Sequence, residues 1–206
     1  MIHLARHGRT AYNHEGRFQG HLPVPLDETG RAQAAALAEL AAGRQWASLW
    51  CSPLVRARET AAVVAARIGL DPRIDARFAE THTGDWTDRA FAEVRAEDPE
   101  GFAAFQATRA DFRFPGGESY AEHLARVADG LRAVRATPAA LPALVICHGG
   151  SIRLALVAEC GDETARGRPI SNVALVELVT SAAGVASDGA AGGGGAARRR
   201  RAEMAP

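Results

Sequence analysis

Leu4-Ala5-Arg6-His7-Gly8-Arg9-Thr10 closes a short apolar run that starts at Met1. The run is too short for a helix and stops at His-Gly, so it predicts a buried strand over residues 1–5 whose C-terminal end presents Arg6 and His7. The same layout returns near the other end of the chain. Leu144 to Cys147 reads as a strand, His148-Gly149-Gly150 follows, and Ser151 to Ala158 resumes at helical spacing. Between them, Trp46 to Cys51 is a further strand. Ser52-Pro53 then combines a good N-cap with a proline suited to the first helical position, which predicts a helix beginning at Pro53. Leu54, Ala57, Ala61, Val64, Ala65 and Ile68 share one face of that helix, leaving Arg56 and Arg58 off the stripe near its first turn.

The remaining segments complete an alternating pattern. Asn13 to Pro25 reads as a polar loop, and Thr29 is a plausible N-cap for a helix carrying Ala36, Leu37, Leu40 and Ala41 and ending near Gly43. Arg73 to Asp75 reads as a short strand and Val173 to Val179 as a last one. Glu118 to Ala136 is the clearest helix, with Tyr120, Leu124, Val127, Leu131 and Val134 along one face. Residues of about 81–119, interrupted by Pro99 and Pro115, form an excursion over the strand ends. Alternating strands and helices predict an α/β domain with a mostly parallel central sheet. Ligands in such sheets bind beyond the C-terminal strand ends, where His7, Arg56 and His148 each stand after a different strand.

A net charge of zero and a charged fraction of 23% give no nucleic-acid footprint. All basic side chains are arginine, a bias that carries little functional weight. Residues 1–180 are expected to form one domain. The Ala/Gly/Arg-rich stretch 181–206, with Gly192 to Gly195 and Arg198 to Arg201, is too poor in large apolar residues to fold and is expected to be a disordered tail. Cys51, Cys147 and Cys160 lack metal-ligand spacing and fit reduced thiols in a cytoplasmic protein. Neither a secretory leader nor a membrane-spanning run is visible in the pattern.

The convergent residues suit phosphate chemistry. The planar fork of Arg6 or Arg56 matches phosphate oxygens. His7 can attack phosphorus if one ring nitrogen is unprotonated and the other is held by an acceptor. His148, if protonated, can donate to a nonbridging oxygen as charge develops. Singly, each has a bland alternative: Arg-His-Gly is more often a strand-to-turn junction than a site.

In order along the chain, Leu4 to Thr10, Cys51-Ser52-Pro53-Leu54-Val55-Arg56-Ala57-Arg58-Glu59-Thr60, Glu80 with Gly84 and Trp86, and His148-Gly149 together resemble the histidine phosphatase superfamily, which includes the phosphoglycerate mutases. Asn13, Gly16-Arg17-Phe18-Gln19-Gly20, Pro25-Leu26 and Pro115-Gly116-Gly117-Glu118-Ser119 extend the likeness, which runs from residue 1 to about 179. The resemblance implies a three-layer α/β/α sandwich, phosphoglycerate mutase-like. It implies that His7 is phosphorylated, that Arg6, Arg56 and His148 hold the transferring group, and that Glu80 moves protons; Asp85 nearby is a competing carboxylate, which the spacing to Gly84 and Trp86 disfavours. It adds Asn13, Gln19, Gly20 and Gly149 as substrate contacts and implies no metal or cofactor. The expected partner is a small phosphorylated metabolite, without nucleic acid or membrane; patterning leaves oligomeric state open, a homodimer included.

Two departures from the family pattern carry expectations. Thr87-Asp88 stands where many relatives have Glu-Gly after the tryptophan, which puts the turn there in question. Arg9-Thr10 replaces Glu-Ser or Glu-Thr; the threonine leans toward a phosphatase over a mutase, and Arg9 is expected at the pocket rim, favouring a substrate with a second anionic group. The implied activity is a metal-independent phosphomonoester hydrolase resembling the small broad-specificity phosphatases. The alternatives are a phosphoglycerate mutase and a non-catalytic phospho-ligand-binding protein.

Overall fold

The computed structural model describes residues 1–179. β1 (Ile2–Arg6), β2 (Ser48–Cys51), β3 (Pro72–Ile74), β4 (Ala143–Cys147) and β5 (Leu175–Leu178) lie in one sheet in the order β3-β2-β4-β1-β5. The first four are parallel, and β5 runs antiparallel to β1 at the edge. The expected tail at 181–206 lies outside the described residues.

The strands read as apolar runs because both sheet faces are covered. Ile2, Leu4, Trp50, Val145 and Cys147 turn one way, onto α6 (Tyr120–Ala136) and α7 (Gly149–Cys160), where they meet Val127, Leu131, Val134, Ile152 and Leu156. Ala5, Leu49, Cys51, Leu144 and Ile146 turn the other way. They meet Leu37 and Ala41 of α2 (Glu28–Ala42) and Ala57, Ala61 and Val64 of α3 (Val55–Ile68). The period of two along each strand thus builds the three-layer sandwich.

Several helix starts move from their expected places. Asp27, not Thr29, caps α2, its Oδ1 accepting the Gly30 N–H at 2.7 Å. α3 begins at Val55 rather than Pro53, with Leu54 at the N-cap position and no side-chain cap, while the Ser52 hydroxyl lies between the Leu54 N–H and the His148 ring. Part of the expected loop is a short helix, α1 (Ala11–Glu15), with a capping box between Thr10 and Asn13. α7 begins at Gly149, so both glycines after His148 are helical.

The excursion has a core of its own. Trp86, Phe102, Phe112, Phe114 and Tyr120 pack with Phe18 around α4 (Phe91–Glu97) and α5 (Pro99–Gln106). Trp86 is therefore a packing residue, and Phe91 lies partly buried against the same cluster. Gly84, at φ +50, lets two segments of the excursion cross: a Cβ there would lie 2.0 Å from the Pro115 carbonyl oxygen. Asp88, where the missing glycine put the turn in question, adopts φ +67. Aspartate tolerates this left-handed region, and the Tyr12 hydroxyl at 2.6 Å and Arg17 at 3.0 Å hold its carboxylate. The turn keeps a glycine-like backbone without glycine.

Among the described residues no helix is long and apolar enough to cross a membrane.

Candidate active site

β2, β4 and β1 are neighbours, so their C-terminal ends bring Ser52, His148 and His7 side by side. The rings of His7 and His148 are 5.2 Å apart, centroid to centroid. His7 is buried, and its Nδ1 stands 2.6 Å from the Gly8 carbonyl oxygen. A carbonyl can only accept, so that bond places the proton on Nδ1 and leaves Nε2 with its lone pair. Burial, then the charges of Arg56 and Arg6, hold His7 well below the usual histidine range, so the ring is neutral.

Arg56, in the first turn of α3, is 1% exposed. It donates to the carbonyl oxygens of Gly20 at 2.9 Å and Leu22 at 3.2 Å, which orient the fork. Arg6 donates to the Ile170 carbonyl. Burial lowers both guanidiniums to about 10, so they stay charged at neutral pH. Arg58, the other arginine of the stretch, is exposed and lies outside the cavity lining.

His148 is fully buried with Nε2 2.7 Å from the Ser52 hydroxyl, while its Nδ1 has no hydrogen-bond partner. Burial, followed by Arg56 and His7, pushes it well below the usual histidine range, against the expectation of a cationic ring. Glu80 follows the short turn Ala76–Phe78 and reaches the N-terminus of α7, accepting from the Gly150 N–H at 3.3 Å and the Thr81 N–H at 2.9 Å. Burial alone would raise its carboxyl, but His123, the Thr81 N–H, Arg56 and Arg153 outweigh it and hold the group below the usual carboxylate range. Asp85 is exposed and does not line the cavity.

These groups surround a cavity of about 360 Å³. Asn13, Gln19, Gly20 and Gly149 all line it. Arg9 does not. Gly8 is pressed so tightly against Gly30 that a Cβ would sit 2.3 Å from the Gly30 carbonyl oxygen, and the chain beyond it leads Arg9 onto α2. There its guanidinium binds Asp27 at 2.7 Å and Thr29 at 2.8 Å. Arg9 is thus a clamp on a helix start, not a rim residue. Lining residues that the sequence did not single out include Thr81, Tyr120, Arg153 and Asn172. The α7 N-terminus was also missed, although the glycines after His148 were a signal for it. Among the described residues, no group of three or more His, Cys, Asp or Glu side chains is placed to hold a metal ion.

Known proteins share this sequence pattern and fold. A family model described as "Histidine phosphatase superfamily (branch 1)" matches residues 2–188. The glucosyl-3-phosphoglycerate phosphatase of Mycobacterium tuberculosis is 38% identical over 159 residues, 72% of this chain and 70% of that protein. Phosphoglycerate mutase-like protein 4 of Arabidopsis thaliana is 37% identical over 155 residues, 74% of this chain and 67% of that one. A mycobacterial glucosyl-3-phosphoglycerate phosphatase solved with VO3 superposes with a TM-score of 0.76 at 34% identity, covering 84% of this chain and 90% of that one.

Proposed function

The chain belongs to the histidine phosphatase superfamily, and from that premise we propose that it hydrolyses a small phosphomonoester through a phosphohistidine at His7. The observation that carries this reading is the neutral, buried His7, pinned through Nδ1 to the Gly8 carbonyl between two buried arginines. The relatives whose names describe phosphatases act on small phosphorylated compounds, and the same substrate class is proposed for this chain.

In the first step, Nε2 of His7 attacks phosphorus. The N–P bond forms as the ester P–O bond breaks, and the leaving oxygen takes a proton from Glu80. Arg6 and Arg56 meet the charge on the nonbridging oxygens as it develops. The Ser52 hydroxyl accepts the Leu54 N–H at 3.2 Å and donates to Nε2 of His148, which keeps that ring's proton on the otherwise unpartnered Nδ1. A neutral His148 in this tautomer donates to the phosphoryl group without being charged. The amide oxygen of Asn13 already accepts from the Thr10 N–H and from Asn172, which leaves its NH2 for the phosphoryl oxygens. In the second step water attacks phosphorus, the Glu80 carboxylate takes its proton, and the N–P bond breaks with its electrons returning to Nε2.

Because Glu80 is ionised at rest, the proton for the leaving group enters with the monoanion of the ester and passes to the carboxylate. For an alkyl phosphate, kcat/KM is therefore expected to fall as pH rises through about 6, the second pKa of a phosphomonoester. Toward acid the plateau should extend below the usual histidine range, since burial and the neighbouring arginines hold His7 and His148 well below it. A pH profile of kcat/KM checks both limbs; an acid limb centred near 6.5, as for an ordinary histidine, would contradict the neutral pair.

Glu80→Gln tests the reading as a whole. Wild type should release phosphate from alkyl and aryl monoesters alike. The variant should lose about 10²–10⁴-fold on alkyl phosphates and much less on 4-nitrophenyl phosphate, whose leaving group needs little protonation. Equal losses on both would remove Glu80 from the acid role. Transfer of the phosphoryl group to an acceptor without phosphate release would replace hydrolysis by a mutase reaction.

A further inference from the structure

Four arginines line the cavity, and three of them have acceptors. Arg6 donates to the Ile170 carbonyl, Arg56 to Gly20 and Leu22, and Arg17 to Asp88. Arg153, in the second turn of α7, makes no hydrogen bond within 3.5 Å and no ion pair among the described residues, and its Nε is shut off from solvent without a partner. Glu80 is close enough to feel its charge but is not within ion-pair distance. Arg153 is half-buried, and a guanidinium nitrogen shut off from water without an acceptor is costly unless a ligand completes it.

Its place on the helix says where that ligand lies. Gly149 packs on Arg6, and a Cβ there would lie 3.6 Å from the Arg6 Nε. Arg153 is four residues further on and shares that face of α7, about 6 Å along the axis. The hydroxyl of Tyr120, which donates to the Phe105 carbonyl at 3.2 Å, stands beside it within reach of the guanidinium, leaving Nε without a partner. The phosphoryl group already has Arg6, Arg56 and the two histidines, so Arg153 faces the part of the substrate one helical turn away from it.

Building on the hydrolase reading, we propose that Arg153 is the specificity-determining residue of the site and selects phosphomonoesters that carry a carboxylate a few bonds from the ester oxygen. A planar carboxylate matches a single guanidinium fork, whereas a second phosphate, with its two charges, would call for more than one cation. The role expected of Arg9 falls to a residue that reaches the cavity.

The test compares 3-phosphoglycerate with glycerol 3-phosphate, which differ at the position where one has a carboxylate and the other a hydroxymethyl group. Wild type should prefer 3-phosphoglycerate in kcat/KM, mainly through KM. Arg153→Met should lower the ratio of the two kcat/KM values by about 10- to 100-fold, the range of a charge-assisted hydrogen-bond pair, with Arg153→Lys retaining part of the preference. Equal losses on both esters would place Arg153 with the phosphoryl machinery and overturn the proposal, as would an unchanged ratio. Calorimetric binding of both ligands is measured in parallel on wild type and Arg153→Met. If wild type releases phosphate from neither ester, the hydrolase reading falls, while the binding ratio still decides the carboxylate claim.

Discussion

His7→Ala is expected to lower phosphate release by at least about 10⁴-fold while leaving the fold intact. The size follows from the division of labour: without Nε2 there is no phosphoenzyme, and only positioning and charge stabilisation remain. Folding should survive because the local backbone is tied independently of the ring. The His7 N–H donates to Cys147 at 3.1 Å, its carbonyl accepts from Asn172 at 3.0 Å, and the Gly8 N–H donates to Thr60 at 3.1 Å. Phosphate release, with circular dichroism and calorimetric binding of inorganic phosphate as controls, checks this. Appreciable turnover by the variant would end the nucleophile assignment.

Arg56→Met is expected to cost about 10³-fold in kcat/KM, and Arg56→Lys somewhat less, because lysine restores a charge without the fork. The variants differ in a second readout. Arg56 is the largest charge influence holding His7 down, so methionine lets the His7 value rise and lysine largely does not. The acid limb of the pH profile should move upward in Arg56→Met alone. Methionine also strands the carbonyls of Gly20 and Leu22, at about 1–3 kcal/mol each where they are shielded from water, so thermal unfolding is measured beside the kinetics. Loss of stability with unchanged pH dependence would make Arg56 a structural residue.

The convergence of His7, Arg56 and His148 was legible because it follows from topology. Each stands just beyond an apolar run flanked by helical spacing, and parallel strands of one sheet present such positions to one crevice. Glu80 was legible only through its spacing to Gly84 and Trp86 in the family pattern; nothing local marks a carboxylate after an irregular turn. Arg9 misled because adjacency in sequence is not adjacency in space. The contact of Gly8 with Gly30 is a long-range packing fact, and it leads Arg9 away from the cavity. Arg153 was missed for the opposite reason: the helix was read as starting at Ser151, and with its true start at Gly149 the residue falls one turn below the glycine that touches Arg6. The excursion resisted reading because its order comes from aromatic side chains distant in sequence, Phe18 against Phe91 and Trp86 against Phe112, and no single window shows that core.

The phosphohistidine itself is the most direct test. Wild-type enzyme turning over a phosphomonoester is quenched in alkaline denaturant, where the N–P bond persists, and the peptide containing His7 is read by mass spectrometry. The expected result is phosphate on His7 that is labile to acid and chases to inorganic phosphate when substrate is withdrawn before the quench. An enzyme that releases phosphate with His7 unmodified throughout, or with an acid-stable phosphate on another residue, would contradict the mechanism.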